Sequence, residues 1–255
     1  MNALAECKTH RGEPMPRFFK EYFENAPFID GDDARHIMKS LRMKPGEPLV
    51  VCDTHGFDYN CVISGCSTDR VELEIKEKRK NATEPTVFVT LYLCLTKGDK
   101  MDGVVRQSVE MGVSRIVPVL SSNCVSRPDE KSLSKKQERW QKIADEAAGQ
   151  SGRGILPEVQ KCVSLKRAAE ISEQDDICLF CYELGGEPLQ TLDKSVNKIS
   201  VIIGPEGGFT ADEAEMLLSH NACVTTLGPR ILRAETAPIA ALAAVMLQSG
   251  NMGNF

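Results

Sequence analysis

The sequence predicts an α/β protein in two parts, a small β-rich segment followed after about residue 80 by a larger domain on a parallel sheet. Three observations predict it. Short strand-like runs separated by turn residues fill the first part, and strand-like and helix-like segments alternate in the second. Between them the charged stretch Lys76 to Pro85, which closes on Asn-Ala-Thr-Glu-Pro, has the composition of a linker.

In the first part the expected strands are Pro48 to Cys52, Asp58 to Ser64 and Arg70 to Lys76, with turns at Pro45-Gly46 and His55-Gly56. The second part opens with a strand from Val87 to Leu95, a helix from Lys100 to Met111 and a strand from Arg115 to Leu120. Met101, Val104, Val105 and Val109 share one helical face, and Gly112 is placed to end that helix. Trp140, Ile143, Ala144 and Ala147 repeat the pattern on a longer helix. Further strands are expected at Ile177 to Tyr182, Ile199 to Ile203 and Cys223 to Leu227. Thr210 stands three residues before Glu213, the spacing of a capping box, so a helix starts at Ala211 with Met216, Leu217 and Leu218 on its inner side. Thr236 is placed to cap a final Ala-rich helix that tolerates Pro238 in its first turn. Periodicity alone favours a doubly wound, unknotted sheet.

The composition fits a soluble globular chain: 255 residues, 42% hydrophobic and 26% charged. No apolar run approaches the ~18 residues of a membrane helix, and the first twenty residues lack a signal-peptide hydrophobic region, so a cytoplasmic protein without a membrane partner is expected. The 10 cysteines then read as reduced, small apolar residues. Cys178 and Cys181 form a CxxC, but within a strand their side chains point to opposite faces, so no metal or redox role is assigned. The net charge of -5 argues against nucleic-acid binding by bulk electrostatics. Two local basic clusters temper that argument, Lys76 with Lys78, Arg79 and Lys80, and Lys131 with Lys135, Lys136, Arg139 and Lys142. Solvated surface explains both clusters equally well.

Chemistry concentrates near the C-terminus. The apolar run Val201 to Ile203 ends in Gly204-Pro205-Glu206-Gly207-Gly208-Phe209, with three glycines in five positions. About twenty residues later comes Leu227-Gly228-Pro229-Arg230-Ile231-Leu232-Arg233-Ala234-Glu235-Thr236-Ala237. Two neighbouring strand-to-helix loops of this kind make a ligand site. A phosphate ligand is disfavoured, because the Glu206 carboxylate would repel it and neither GxGxxG nor GxxxxGK[ST] is present. The first loop alone is equally consistent with a tight turn needing positive φ.

Together these two segments resemble the C-terminal motifs of the RsmE family, SPOUT-superfamily methyltransferases that act on N3 of a uridine in small-subunit rRNA. Further blocks carry the resemblance in family order. They are Met15-Pro16-Arg17-Phe18-Phe19, His36 with Leu41 to Gly46, Lys97 and Lys100 with Glu110 to Val113, and Arg139-Trp140 through Ala148 with Gln150, Ser151, Arg153 and Pro157. Residues 1–14 have no counterpart and are expected to be a flexible extension or to precede a start at Met15; Gly149 stands where the family more often has a polar residue.

The resemblance implies a SPOUT-type parallel sheet with a C-terminal trefoil knot over 81–255, preceded by a PUA-like RNA-binding β domain over 15–80. It implies S-adenosylmethionine as cofactor, a homodimer, and 16S rRNA of the small ribosomal subunit as partner. The expected cofactor contacts are Tyr182, Glu183, Gly204, Pro205, Glu206, Gly207, Gly208, Leu227, Gly228, Arg230, Ile231, Leu232, Thr236 and Ala237. Expected RNA contacts are Arg17, His36, Arg42, Lys97, Lys100 and Arg153. The uracil N3 proton is weakly acidic, so an arginine that stabilises negative charge on O2 and O4 and a carboxylate near the proton suit the reaction. Of the catalytic candidates, Arg17 and Arg233 are assigned to orient the uridine or its phosphate and Glu235 to hold Arg233 or assist proton removal, with a loop salt-bridge network as the competing explanation for Arg230, Arg233 and Glu235. A ribose 2′-O or guanine N1 target, or a non-catalytic RNA-binding assembly factor, remains an alternative.

Overall fold

The computed structural model describes residues 15–21, 23–189, 192–193 and 195–253; the expectation for residues 1–14 lies outside them. The described residues divide into two compact units, one drawn from 15–84 and 148–156, the other from 85–147 and 157–253.

The first unit holds strands β1 (Arg17–Phe19), β2 (Phe28–Asp30), β3 (Pro48–Cys52), β4 (Phe57–Cys66) and β5 (Arg70–Lys80), with the short helix α1 (Gly31–Arg35). They form one sheet in the order β1-β3-β4-β5-β2. Alternation along β4 and β5 sends Tyr59, Cys61, Ile63, Val71 and Leu73 to a core shared with Phe18, Phe23, Ile29 and Ile37. The turn at His55-Gly56 forms as expected, with Asp53 Oδ1 accepting from the His55 N–H at 2.8 Å and Gly56 at φ +90°. Residues 76–80 are a correction: they are strand, not linker. Pairing of Glu77 to Lys80 with Phe57 to Asn60 outweighs their charge, because the long cationic side chains reach solvent past the sheet and Lys78 lies over the Phe57 and Tyr59 rings.

The second unit is a parallel sheet flanked by helices. Its elements are β6 (Phe88–Cys94), α2 (Lys100–Glu110), β7 (Arg115–Leu120), α3 (Glu130–Gln150), β8 (Glu158–Val159), β9 (Val163–Ser164), α4 (Leu165–Ser172), β10 (Ile177–Cys181), β11 (Glu187–Pro188), β12 (Lys198–Ile203), α5 (Ala211–Ser219), β13 (Cys223–Thr226) and α6 (Ala237–Gln248). The order is β11-β13-β10-β12-β6-β7-β8, with β9 also on β7, and each of these pairings is parallel. The central strands are apolar along their length because both faces are covered: Val89, Leu91, Leu93, Ile199, Val201 and Ile202 have no exposed surface.

Most helix expectations hold in detail. Met101, Val104, Val105 and Val109 are buried on α2, and Gly112 follows it at φ +93°. Thr210 and Glu213 form the reciprocal capping box of α5. On α5, however, Leu218 is 49% exposed, since the buried side falls on Ala214 and Leu217. Thr236 precedes α6 in a helical conformation, φ -94° and ψ -38°, so its hydroxyl makes no capping bond. Cys178 is buried and Cys181 half-buried, and burial pushes the two thiols up to about 11 and about 12, which keeps them protonated.

Candidate active site

Because the sheet is parallel, the carboxyl ends of its strands point the same way, and that edge is where open α/β sheets bind ligands. The loops after β10, β12 and β13, together with the start of α2, line a cleft of about 580 Å³, within the range of small-molecule sites. Of the residues assigned to the cofactor from the sequence, all but Thr236 line this cleft, and Lys100, Arg233 and Glu235 line it as well.

Three glycines shape the wall. A Cβ on Gly204 would lie 2.7 Å from the Phe209 ring, and one on Gly207 would lie 3.0 Å from Cβ of Asn123. Gly208 has φ +64°, and a Cβ there would run into the Glu183 carboxylate. Sequence reasoning missed Asn123, whose Nδ2 donates to the carbonyls of Gly207 and Gly208 at 3.0 and 3.2 Å. Those bonds fix the turn through its backbone and need no side chain from either glycine. The signal that could have found it was the polar run Ser121-Ser122-Asn123 directly after β7. The same run is tied once more, where the Ser122 N–H donates to the helix-capping Glu213 at 2.7 Å.

Phe209 is buried and meets Phe180 edge-on at 5.1 Å, while Tyr182 stacks on the same Phe180 at 5.0 Å. These rings transmit strand packing to the cleft. Gly204→Ala should therefore displace Phe209 and cost about 1–3 kcal/mol, as overpacking does. A lowered thermal midpoint for Gly204→Ala would reveal it. Gly103→Ala is the control, with an equal or higher midpoint expected, because Gly103 lies within α2 and a Cβ there would meet nothing within 4 Å.

The charged groups of the cleft are interlinked. Lys100 Nζ lies 3.0 Å from Glu235 Oε2 and 3.5 Å from Glu206 Oε1, and Glu206 Oε1 also accepts the Lys97 N–H at 3.1 Å. The Lys100 ammonium holds the Glu235 carboxyl below its ordinary range, helped by the Glu235 backbone N–H and by Arg233, and is itself raised in return. Arg230, Ile231 and Arg233 are exposed on the loop after β13, Ile231 to 87%.

The remaining RNA candidates divide by burial. His36, Arg42 and Lys97 are exposed. Arg153 is a correction: its side chain is 3% exposed and its Nε and Nη2 donate to the two Glu84 oxygens at 2.9 and 2.8 Å, so it faces no solvent phosphate. Arg17 is a second correction. Its guanidinium pairs bidentately with Asp58, Nη2 to Oδ2 at 2.8 Å, and Nη1 also donates to the Arg153 carbonyl at 3.2 Å. Both arginines organise the first unit. Their partners lie 41 and 69 residues away in sequence, a separation no local pattern encodes.

Comparison with known proteins agrees with this geometry. A family model described as an RNA methyltransferase domain matches residues 83–246, and one described as an RNA methyltransferase PUA domain matches residues 29–76. Fold and cleft thus define the class as RNA methyltransferase. Ribosomal RNA small subunit methyltransferase E of Bacillus subtilis is 33% identical over 250 residues, covering 92% of this chain and 97% of the relative. The protein of that name from Mesomycoplasma hyopneumoniae is 36% identical over 226 residues, covering 88% and 96%. The Neisseria gonorrhoeae protein of that name, solved bound to S-adenosyl methionine, superposes with a TM-score of 0.81 at 31% identity over 91% of this chain and 97% of the other. The chain belongs to the ribosomal RNA small subunit methyltransferase E family.

Proposed function

We propose that this chain transfers a methyl group from S-adenosylmethionine to N3 of a uridine in 16S rRNA of the small ribosomal subunit. The observation that carries the proposal is the cleft itself, where glycine-shaped loops after β12 and β13, on either side of β10, bring Arg233 and Glu235 to one rim. The cofactor, when bound, supplies an electrophilic methyl group. Backbone of Gly204 to Gly208 and Leu227 to Leu232 would hold it, with Tyr182 at the wall and the Glu183 carboxylate available to accept from a ribose hydroxyl. The fit is supported by Gly207 and Gly208, where a side chain would collide with Asn123 or Glu183, so the loop keeps bare backbone at the cleft.

The chain's own residues then act on the uracil. Arg233 donates its guanidinium N–H groups toward the oxygens on which charge develops as N3 loses its proton. Glu235, kept anionic by Lys100, takes that proton or orients Arg233. Holding base and methyl donor in line supplies much of the acceleration. His36, Arg42 and Lys97, all exposed, contact RNA phosphates, and the β-rich first unit serves as an RNA-holding PUA-like domain. We further propose that the 81–255 region is knotted in the SPOUT manner, that the protein works as a homodimer, and that it acts in the cytoplasm. Among the described residues no helix is long and apolar enough to cross a membrane.

Label from methyl-labelled S-adenosylmethionine should pass to small subunits purified from cells lacking the modification. Subunits already carrying it should accept none. Equal labelling of both preparations would mean a different site or a different RNA.

A further inference from the structure

Lys100 breaks a local rule. It is the first residue of α2, where a cation meets the positive end of the helix dipole, and the preceding Asp99 makes no capping bond that would offset this. Rules broken locally tend to mark sites where something else is gained. Here the gain is visible. One ammonium reaches Glu235 at 3.0 Å and Glu206 at 3.5 Å, and the same Glu206 oxygen accepts the Lys97 N–H. Three segments that follow three different strands, β6, β12 and β13, are therefore tied at one point. Without the ammonium, the loops carrying Glu206 and Glu235 would present two carboxylates to each other across the cleft.

We propose that Lys100 is a positioning residue for the cofactor: it cross-links Glu206 to Glu235 and so holds the two loops of the cleft in binding geometry before the cofactor arrives. This differs from a contact with RNA phosphate, because the ammonium is directed at two protein carboxylates. The inference rests on the cofactor assignment above and is independent of which RNA atom is methylated. Each member of the bridge is about one-third exposed, with side-chain exposures of 36%, 29% and 32%. The bridge therefore contributes little to global stability, and its effect should appear in preorganisation of the loops.

The test is calorimetric titration of the full chain, without RNA, with S-adenosylmethionine and with its demethylated product S-adenosylhomocysteine. Lys100→Met should weaken both ligands about tenfold, and Lys100→Arg should return both to within about threefold of the parent, since loss of preorganisation acts on any ligand of the cleft. The thermal midpoint of the ligand-free protein should be unchanged in both variants. S-adenosylmethionine carries a sulfonium charge that the product lacks, so a purely electrostatic effect of deleting Lys100 would strengthen the first relative to the second. That pattern, or parental affinity in Lys100→Met, overturns the inference. A midpoint that falls equally in Lys100→Met and Lys100→Arg also overturns it, in favour of a general structural role. Failure of the parent protein to bind either ligand defeats the cofactor assignment and the inference with it.

Discussion

Arg233→Ala is expected to reduce methyl transfer by about 10²- to 10³-fold, the loss that follows removal of one preorganised donor to developing negative charge. Arg233 sits on the loop between β13 and α6, lines the cleft and is exposed, two residues from the half-buried Glu235. Its side chain supports no core, so the variant should unfold within about 0.5 kcal/mol of the parent. Single-turnover rates on small subunits, beside urea unfolding of the same preparation, separate the two quantities. Arg233→Lys should recover only part of the rate, because an ammonium does not offer the paired donors of a guanidinium. A rate loss that tracked a stability loss would instead assign Arg233 to a loop salt-bridge network.

Arg17→Met should have the largest effect on stability, about 3–5 kcal/mol, because it strands a buried carboxylate. Asp58 is 3% exposed and its oxygens accept from both terminal nitrogens of Arg17 and from Asn81 Nδ2 at 3.1 and 3.2 Å. Asn81 in turn holds the Gly152 carbonyl at 3.1 Å, so the network joins the start of β4 to residues 148–156 of the same unit. The double variant Arg17→Met with Asp58→Asn should recover much of the loss, since the uncompensated charge disappears. Guanidinium unfolding of the parent, the two single variants and the double variant measures this coupling. A stable Arg17→Met protein with impaired RNA binding would return Arg17 to the substrate-contact role that its motif suggests.

These two arginines illustrate what the sequence could and could not disclose. The Arg233 loop was legible because its ingredients are contiguous: a strand, glycine, proline, then alternating charged and apolar residues before a helix. The same holds for the capping box at Thr210 and for the apolar strands, whose burial on both faces leaves an uninterrupted β-branched run. Arg17 also stood in a recognisable block, but its partner Asp58 belongs to another strand, and nothing local distinguishes a paired guanidinium from one offered to a ligand. Arg153 with Glu84 and Lys100 with Glu206 and Glu235 fail to show for the same reason. The stretch 76–80 misled differently. Its charges imitate a linker, yet a strand whose backbone pairs with a neighbour can carry cations whose long stems cover apolar surface while their heads reach solvent.

The most direct measurement is nucleoside analysis of small-subunit rRNA after reaction with the purified protein and S-adenosylmethionine. The expected product is N3-methyluridine, formed by the parent protein and lost with Arg233→Ala. Methyl on a ribose 2′-oxygen, or N3-methyluridine undiminished by Arg233→Ala, would contradict the assignment of target atom or of Arg233.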